Sequence, residues 1–259
     1  IYQDTLWPPE VEKLINQDRF VLMFAPISRL YDKPYEFPDD SLKLPPYKLN
    51  QNTSPPDIAT NVGFLREWQQ QFKGTGFVYD YHMFYMHYYD QGYYGYTDLL
   101  IEDIRRLADL KLDGFVSCQM QKTFYPHGFP HFVNARMLWN PAYVKDSLAN
   151  YYFQGAFGHD GQLVMEYMKT LSKLFSPQYF YKLRRIRATS LDDEKGLDAL
   201  KKLSLVREEV KQFWPVIDKN LNIENPAHQK SWEYLSVHSG MVVRMADAFK
   251  AKLERKADE

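Results

Sequence analysis

The 259-residue sequence predicts an α/β fold in which a partial, parallel (β/α) barrel of TIM type (residues 1–155) precedes an all-helical domain (residues 156–259). Two observations carry this. Three short apolar runs, nearly continuous in hydrophobicity at their starts, read as strands covered on both faces of a parallel sheet. After about Ala135 no convincing strand pattern remains, and the apolar residues recur at helical spacing.

The first run is FVLMFAPI (Phe20 to Ile27), and a Pro- and Asp-rich loop follows it from Tyr31 to Asp57. Prolines 34, 38, 45, 46, 55 and 56 keep that loop irregular, and long loops of this kind are commonly functional. A helix is expected around Asn61 to Phe72, then the second run, GFVYDYHM (Gly76 to Met83). TDLLIEDIRRLADLKLDG has Ile101, Ile104, Leu107 and Ala108 at helical spacing, with Thr97 or Asp98 placed to cap its start. The third run, DGFVSCQM (Asp113 to Met120), completes a βαβ unit. IYQDT at the start reads as the tail of another strand, and a mature product or a part of a longer protein is expected. In the helical part, RMLWNPAYVKDSLANYYFQGAFG presents Leu138, Trp139, Val144, Leu148 and Tyr151 or Tyr152 as its apolar stripe. Further helices are expected over about Gly161–Leu174, Leu191–Phe213 and Pro226–Leu253, with KLERKADE a solvated end.

Composition narrows the function classes. A formal net charge of -1 provides no global field for nucleic acid or an anionic membrane. No apolar run is long enough to span a bilayer, and no signal-peptide pattern appears, which leaves the compartment open. The lone Cys118, set in an apolar run, reads as an inert thiol and rules out a disulfide framework. The distinctive bias is aromatic: 20 Tyr, 17 Phe and 5 Trp, a composition suited to half-wet surfaces that bind polar ligands.

That bias is densest in FVYDYHMFYMHYYDQGYYGY (Phe77 to Tyr96), where Asp80, His82, His87 and Asp90 sit among tyrosines. Strand alternation places Val78, Asp80 and His82 on one face and Phe77, Tyr79 and Tyr81 on the other. If the aromatic set packs against outer helices, Asp80 and His82 point into the barrel mouth, where such folds build their sites. Ser117, Gln119 and Gln121 form a second polar file, Arg29 ends the first run, and Asp4 ends the opening segment. Carboxylates, amides and a guanidinium beside flat rings suit a pyranose, which has hydroxyls at its edge and apolar C–H faces. Glycoside hydrolysis adds a pair of carboxyl groups, for which Asp4, Asp80 and Asp90 are the candidates. HExxH, the phosphate loop and GxGxxG are absent, and the Gly and Pro between His127 and His131 argue against a helical metal pair, so neither metal nor cofactor is expected.

YQDTLWPP, APISRLY, FVYDYHM, GFVSCQMQ and ARMLWNPAYVKDSLANYYFQGAFG occur in that order. The series resembles the C-terminal part of a bacterial domain-of-unknown-function family with glycoside-hydrolase-like (β/α)8 architecture, similar to α-glucuronidases and family-20 hexosaminidases. The resemblance covers most of residues 1 to 175 and implies the C-terminal half of the barrel. It also implies an N-terminal α/β domain and the first barrel strands of the same protein ahead of Ile1, with the general acid on a middle strand among them. The expected function is accordingly part of a glycoside hydrolase with a carbohydrate ligand. Asp80 leads the catalytic set, with Asp4 second and His82 orienting. Arg29, Tyr79, Tyr81, Tyr85, Gln119, Gln121 and Trp139 shape substrate subsites. The alternatives are a non-catalytic glycan-binding protein or a protein-interaction module on a degenerate barrel.

Overall fold

The computed structural model describes residues 1–50, 53–122, 124–186 and 194–254. Among them, a three-stranded parallel sheet in the order β1-β2-β3 is built from β1 (Leu22–Phe24), β2 (Gly76–Asp80) and β3 (Gly114–Ser117). The register pairs Phe24 with Val78 and Asp80 with Ser117. All three strands are shorter than the apolar runs that announce them. Pro26 has no N–H to continue β1. β2 turns at His82 into a π-helical turn, His82–Met86, which runs into the single turn α2 (His87–Tyr89). β3 therefore loses its partner after Cys118, whose N–H still reaches the Asp80 carbonyl at 2.7 Å. On the outer side of β1, Ile1 makes both bonds of a parallel bridge, from its nitrogen to the Met23 carbonyl and from Ala25 N–H to its own carbonyl.

α1 (Ile58–Gln71) begins earlier than its apolar pattern does, because the Asp57 side chain accepts from Thr60 N–H and caps it. α3 (Thr97–Arg105) is shorter than expected: the chain unwinds into turns through Lys111, which has φ 55°, and Ala108 is exposed. Thr97 does not cap this helix; its hydroxyl donates to the Tyr94 carbonyl, and Asp98 pairs with Lys145. α4 (Phe129–Trp139) and α5 (Lys145–Phe157) are separated at Asn140-Pro141. Pro130 sits in the first turn of α4, where its missing N–H costs nothing, so His131 is helical and His127 is not. The expected stripe is reversed in part: Leu138, Trp139, Val144 and Tyr151 are exposed, while Val133, Met137, Ala149, Phe153 and Phe157 join Leu148 in the core.

The remaining helices are α6 (Gly161–Phe175), α7 (Pro177–Ile186), α8 (Glu194–Asn220) and α9 (Pro226–Glu254). The expected start of α8 at Leu191 and the last five residues of the charged tail lie outside the described residues. α8 packs along α9, and α5 packs on α6 and α9. The Trp232 indole donates to the Phe157 carbonyl at 3.1 Å, and Tyr167 stacks on Phe213 at 4.1 Å. The anticipated boundary at residue 155 falls inside α5, and one continuous hydrophobic cluster runs from Phe24 and Val78 to Trp232 and Leu253.

The two sheet faces differ. Phe24, Val78 and Asp80 are fully buried, on the face that meets α3 through Asp103. Met23 and Val116, together with the half-buried Phe77 and Tyr79, form a face that no helix among the described residues covers; Met23 is 36% exposed and Val116 43%. The expected orientation is thus inverted: Asp80 lies on the helix side, and the aromatic file lies on the open side.

Candidate functional site

Asp80 sits in a buried ionic network at the C-terminal end of β2. Arg29 Nη1 lies 3.2 Å from Asp80 Oδ2 and 2.8 Å from Asp103 Oδ2, while Nη2 donates to the Lys33 carbonyl at 2.7 Å. The Tyr31 hydroxyl donates to Asp80 Oδ1 at 2.7 Å, and the Tyr35 hydroxyl donates to Oδ2. His82 bridges the two acids, with Nδ1 2.9 Å from Asp80 and Nε2 2.7 Å from Asp103. The Arg29 guanidinium lies over both rings, at 4.7 Å from Tyr31 and 4.5 Å from Tyr35.

Burial alone would raise the Asp80 carboxyl, but His82 and Arg29 outweigh it and hold the group far below the usual carboxylate range. Burial likewise disfavours a charged His82, yet Asp80 and Asp103 lift it from 6.5 to about 9. At neutral pH the charged Arg29 and His82 therefore face an ionised Asp80, with Asp103 beside them, and all four side chains are sealed from water. Asp80, His82 and Asp103 offer ligand atoms within 4.8 Å of one another, a spacing that suits a metal ion. An imidazolium has no lone pair to give, and the guanidinium already occupies the space between the acids, so these residues do not fit a cation in this arrangement. The cluster anchors strand ends, and a stably ionised Asp80 has no proton to give as a general acid.

Asp4 lies elsewhere. It is exposed in a 3-10 turn, Gln3–Leu6, and lines a cleft of about 940 Å³ beside α1. Trp7, Tyr47, Phe64 and Trp68 form the apolar wall of the cleft, and Asp4, Glu10 and Glu67 are its acids. Trp7 is fixed edge-on to Phe64 at 5.0 Å and to Tyr47 at 6.0 Å, and its indole N–H donates to the Pro45 carbonyl at 2.6 Å. The Trp68 indole reaches the Thr5 and Leu6 carbonyls at 3.0 Å, which ties the opening segment to α1. Asp4 and Asp80 do not share a cavity.

Asp90, fully buried, organises a turn. It accepts from Gly92 N–H at 3.1 Å, Tyr96 N–H at 2.9 Å and the Ser172 hydroxyl at 2.5 Å, and burial raises its carboxyl. Tyr79, Tyr81 and Tyr85 form a ladder with centroid spacings of 5.4 and 5.8 Å at the strand ends. Gln119 and Gln121 are exposed, and Gln121 lines a separate strand-end cavity. Trp139, 85% exposed, lies outside the cleft and that cavity. His127 bonds the Gly92 carbonyl and His131 stacks on Phe124, so the two do not converge.

Sequence reading missed Asp103, Tyr31 and Tyr35. Asp103 carried a signal, as an acid on the apolar side of α3 beside Leu100 and Ile104. Tyr31 and Tyr35 were hidden in the proline-rich loop, and nothing local joins Trp7 to Tyr47, Glu67 and Trp68. No protein-family model, curated protein or solved structure matches this chain.

Proposed function

We propose that the chain is part of a carbohydrate-active protein of glycoside-hydrolase type and that the Trp7 cleft is where it engages a glycan. The observation that supports this most is the juxtaposition of indole and phenol rings with three carboxylates in one solvent-open cleft. The rings offer apolar faces for sugar C–H groups, and the acids accept from hydroxyls. An acid and a base or nucleophile would be drawn from Asp4, Glu10 and Glu67, with Asp80 holding the strand ends. In this reading the open sheet face is the inward face of a (β/α)8 barrel, of which residues 1–155 supply the C-terminal half and residues 156–259 add a helical domain. Tyr79, Tyr81 and Tyr85 at its strand ends would line further sugar contacts.

Calorimetry against neutral, amino and uronic oligosaccharides, followed by hydrolysis assays, tests the reading. Binding that Trp7→Ala removes, with turnover lost in Asp4→Asn or Glu67→Gln, supports a hydrolase. Binding without turnover supports a glycan-binding module, and no binding by the folded chain rejects both.

A second reading, a protein-interaction module, is favoured by the open sheet face itself. Met23 and Val116 expose apolar surface beside the half-buried Phe77 and Tyr79, as an interface core would. That reading expects association through Met23 and Val116, abolished by Val116→Lys, and no affinity for sugars.

A further inference from the structure

A second cavity, about 680 Å³, lies at the C-terminal side of the strands and is independent of the glycan reading. Three segments build it: the tyrosine-rich stretch with His87, Gln91 and Tyr93, the loop after β3, and one side of α9. Met120, Met241 and Met245 line it together with the rings of Tyr93, Phe124, Tyr125 and Tyr234. Thioethers and ring faces together favour a flat aromatic body, since sulfur–aromatic contacts are attractive and methionine adapts to its partner's shape.

Gln91 Oε1 and the Tyr125 hydroxyl, both belonging to lining residues, are buried without a hydrogen-bond partner. So are both ring nitrogens of His238, which is fully buried on α9 between Tyr234 and Met241. The Gln91 backbone carbonyl is close enough to favour its protonation, but no hydrogen bond of ordinary geometry forms. His238 packs against cavity walls, 5.8 Å from the Tyr93 ring and 6.0 Å from the Tyr125 ring. Buried polar groups are normally satisfied, so the unpaired Gln91 and Tyr125 atoms on two lining residues, with His238 packed behind the Tyr93 and Tyr125 rings, mark a place where a partner belongs. Burial, with His127 nearby, lowers His238 to about 3, so it is neutral and offers one donor and one acceptor. The Gln91 oxygen requires a donor. Among the described residues no carboxylate lines the cavity, and Lys122 stands at its exposed rim.

We propose that this cavity binds a small planar aromatic or heteroaromatic molecule, neutral or anionic, that carries both a hydrogen-bond donor and an acceptor. The ring lies among the methionines and tyrosines, its polar edge meets Gln91 and Tyr125, and any negative charge lies toward Lys122.

Three probes share one ring and differ in charge: indole, indole-3-acetate and tryptamine. Saturation-transfer NMR and calorimetry on the whole chain should find indole and indole-3-acetate bound, with tryptamine weakest. Met241→Trp, which fills the cavity, should weaken indole-3-acetate at least about tenfold, equivalent to about 1.4 kcal/mol. Lys122→Gln should narrow the preference for the anion about two- to fivefold, the range of an exposed charge pair. Val237→Trp, at a position 66% exposed on the rim, provides a blocking variant that spares the core should Met241→Trp fail to fold. The proposal is overturned if none of the probes binds the folded chain, if tryptamine binds best, or if a folded blocking variant binds as well as the wild type.

Discussion

The buried network makes the alkaline limb of the stability profile depend on one imidazole. His82 rises from 6.5 to about 9 because its two nitrogens face Asp80 at 2.9 Å and Asp103 at 2.7 Å. A raised folded value contributes stability that is fully present below about 6.5 and is lost as pH climbs through about 9. At about 1.4 kcal/mol per tenfold change in proton affinity, the loss is about 3 kcal/mol. No discount for solvent applies, since the ring is sealed. His82→Gln keeps a side chain that can hydrogen-bond both acids but cannot titrate. Urea unfolding of both proteins at pH 6 and pH 9.5 measures the difference directly. The wild type should lose about 3 kcal/mol more over that interval than the variant, although the variant is less stable at pH 6. The Ile1 amino group, lowered by burial, acts in the opposite direction in both proteins and cancels from the comparison. An equal loss in the two proteins, or none in the wild type, would refute the assignment of a charged His82.

Three further outcomes are expected. His127 and His238 are held neutral by burial, lowered to about 4 and about 3. Stability should therefore fall as pH drops below about 6.5, by about 4 kcal/mol near pH 4.5, and His238→Phe should flatten that limb in the same urea series. Asp90→Ala strands the Gly92 and Tyr96 amides and the Ser172 hydroxyl, and should cost about 2–4 kcal/mol in equilibrium unfolding. In Gly92→Ala the new Cβ would lie 2.0 Å from the Met168 carbonyl oxygen and 2.6 Å from Ser172 N, both backbone atoms, so the Tyr93 segment must shift. A loss of about 1–3 kcal/mol or more should appear as a lower Tm, and an unchanged Tm would contradict that packing.

Much of the local grammar was legible in the sequence. β1, β2 and β3 lie within the three apolar runs, and the parallel βαβ unit follows from them. The ends were less legible, because they depend on partners: β3 stops where β2 coils away at His82, which no feature of DGFVSCQM reveals. The clustering of Asp80, His82 and Arg29 was anticipated from strand-end placement, but its sense was inverted. Alternation assigns residues to two faces and does not say which face the helices cover, and Asp80 lies on the covered one. Asp103, Tyr31 and Tyr35 then close around it from segments remote in sequence. The Trp7 cleft was the least legible feature, since its walls come from three segments remote in sequence, one of them within the long proline-rich loop. Leu138 and Trp139 misled because apolar character at the end of a helix does not require burial.

The most direct test of the account is a calorimetric titration of the wild-type chain and Trp7→Ala with the oligosaccharide panel, at equal protein concentration and with folding checked by circular dichroism. The account predicts selective binding of at least one glycan by the wild type and a loss of at least about tenfold, or about 1.4 kcal/mol, in the variant. Glycan binding of equal strength in both proteins, or no binding by the folded wild type, would contradict it.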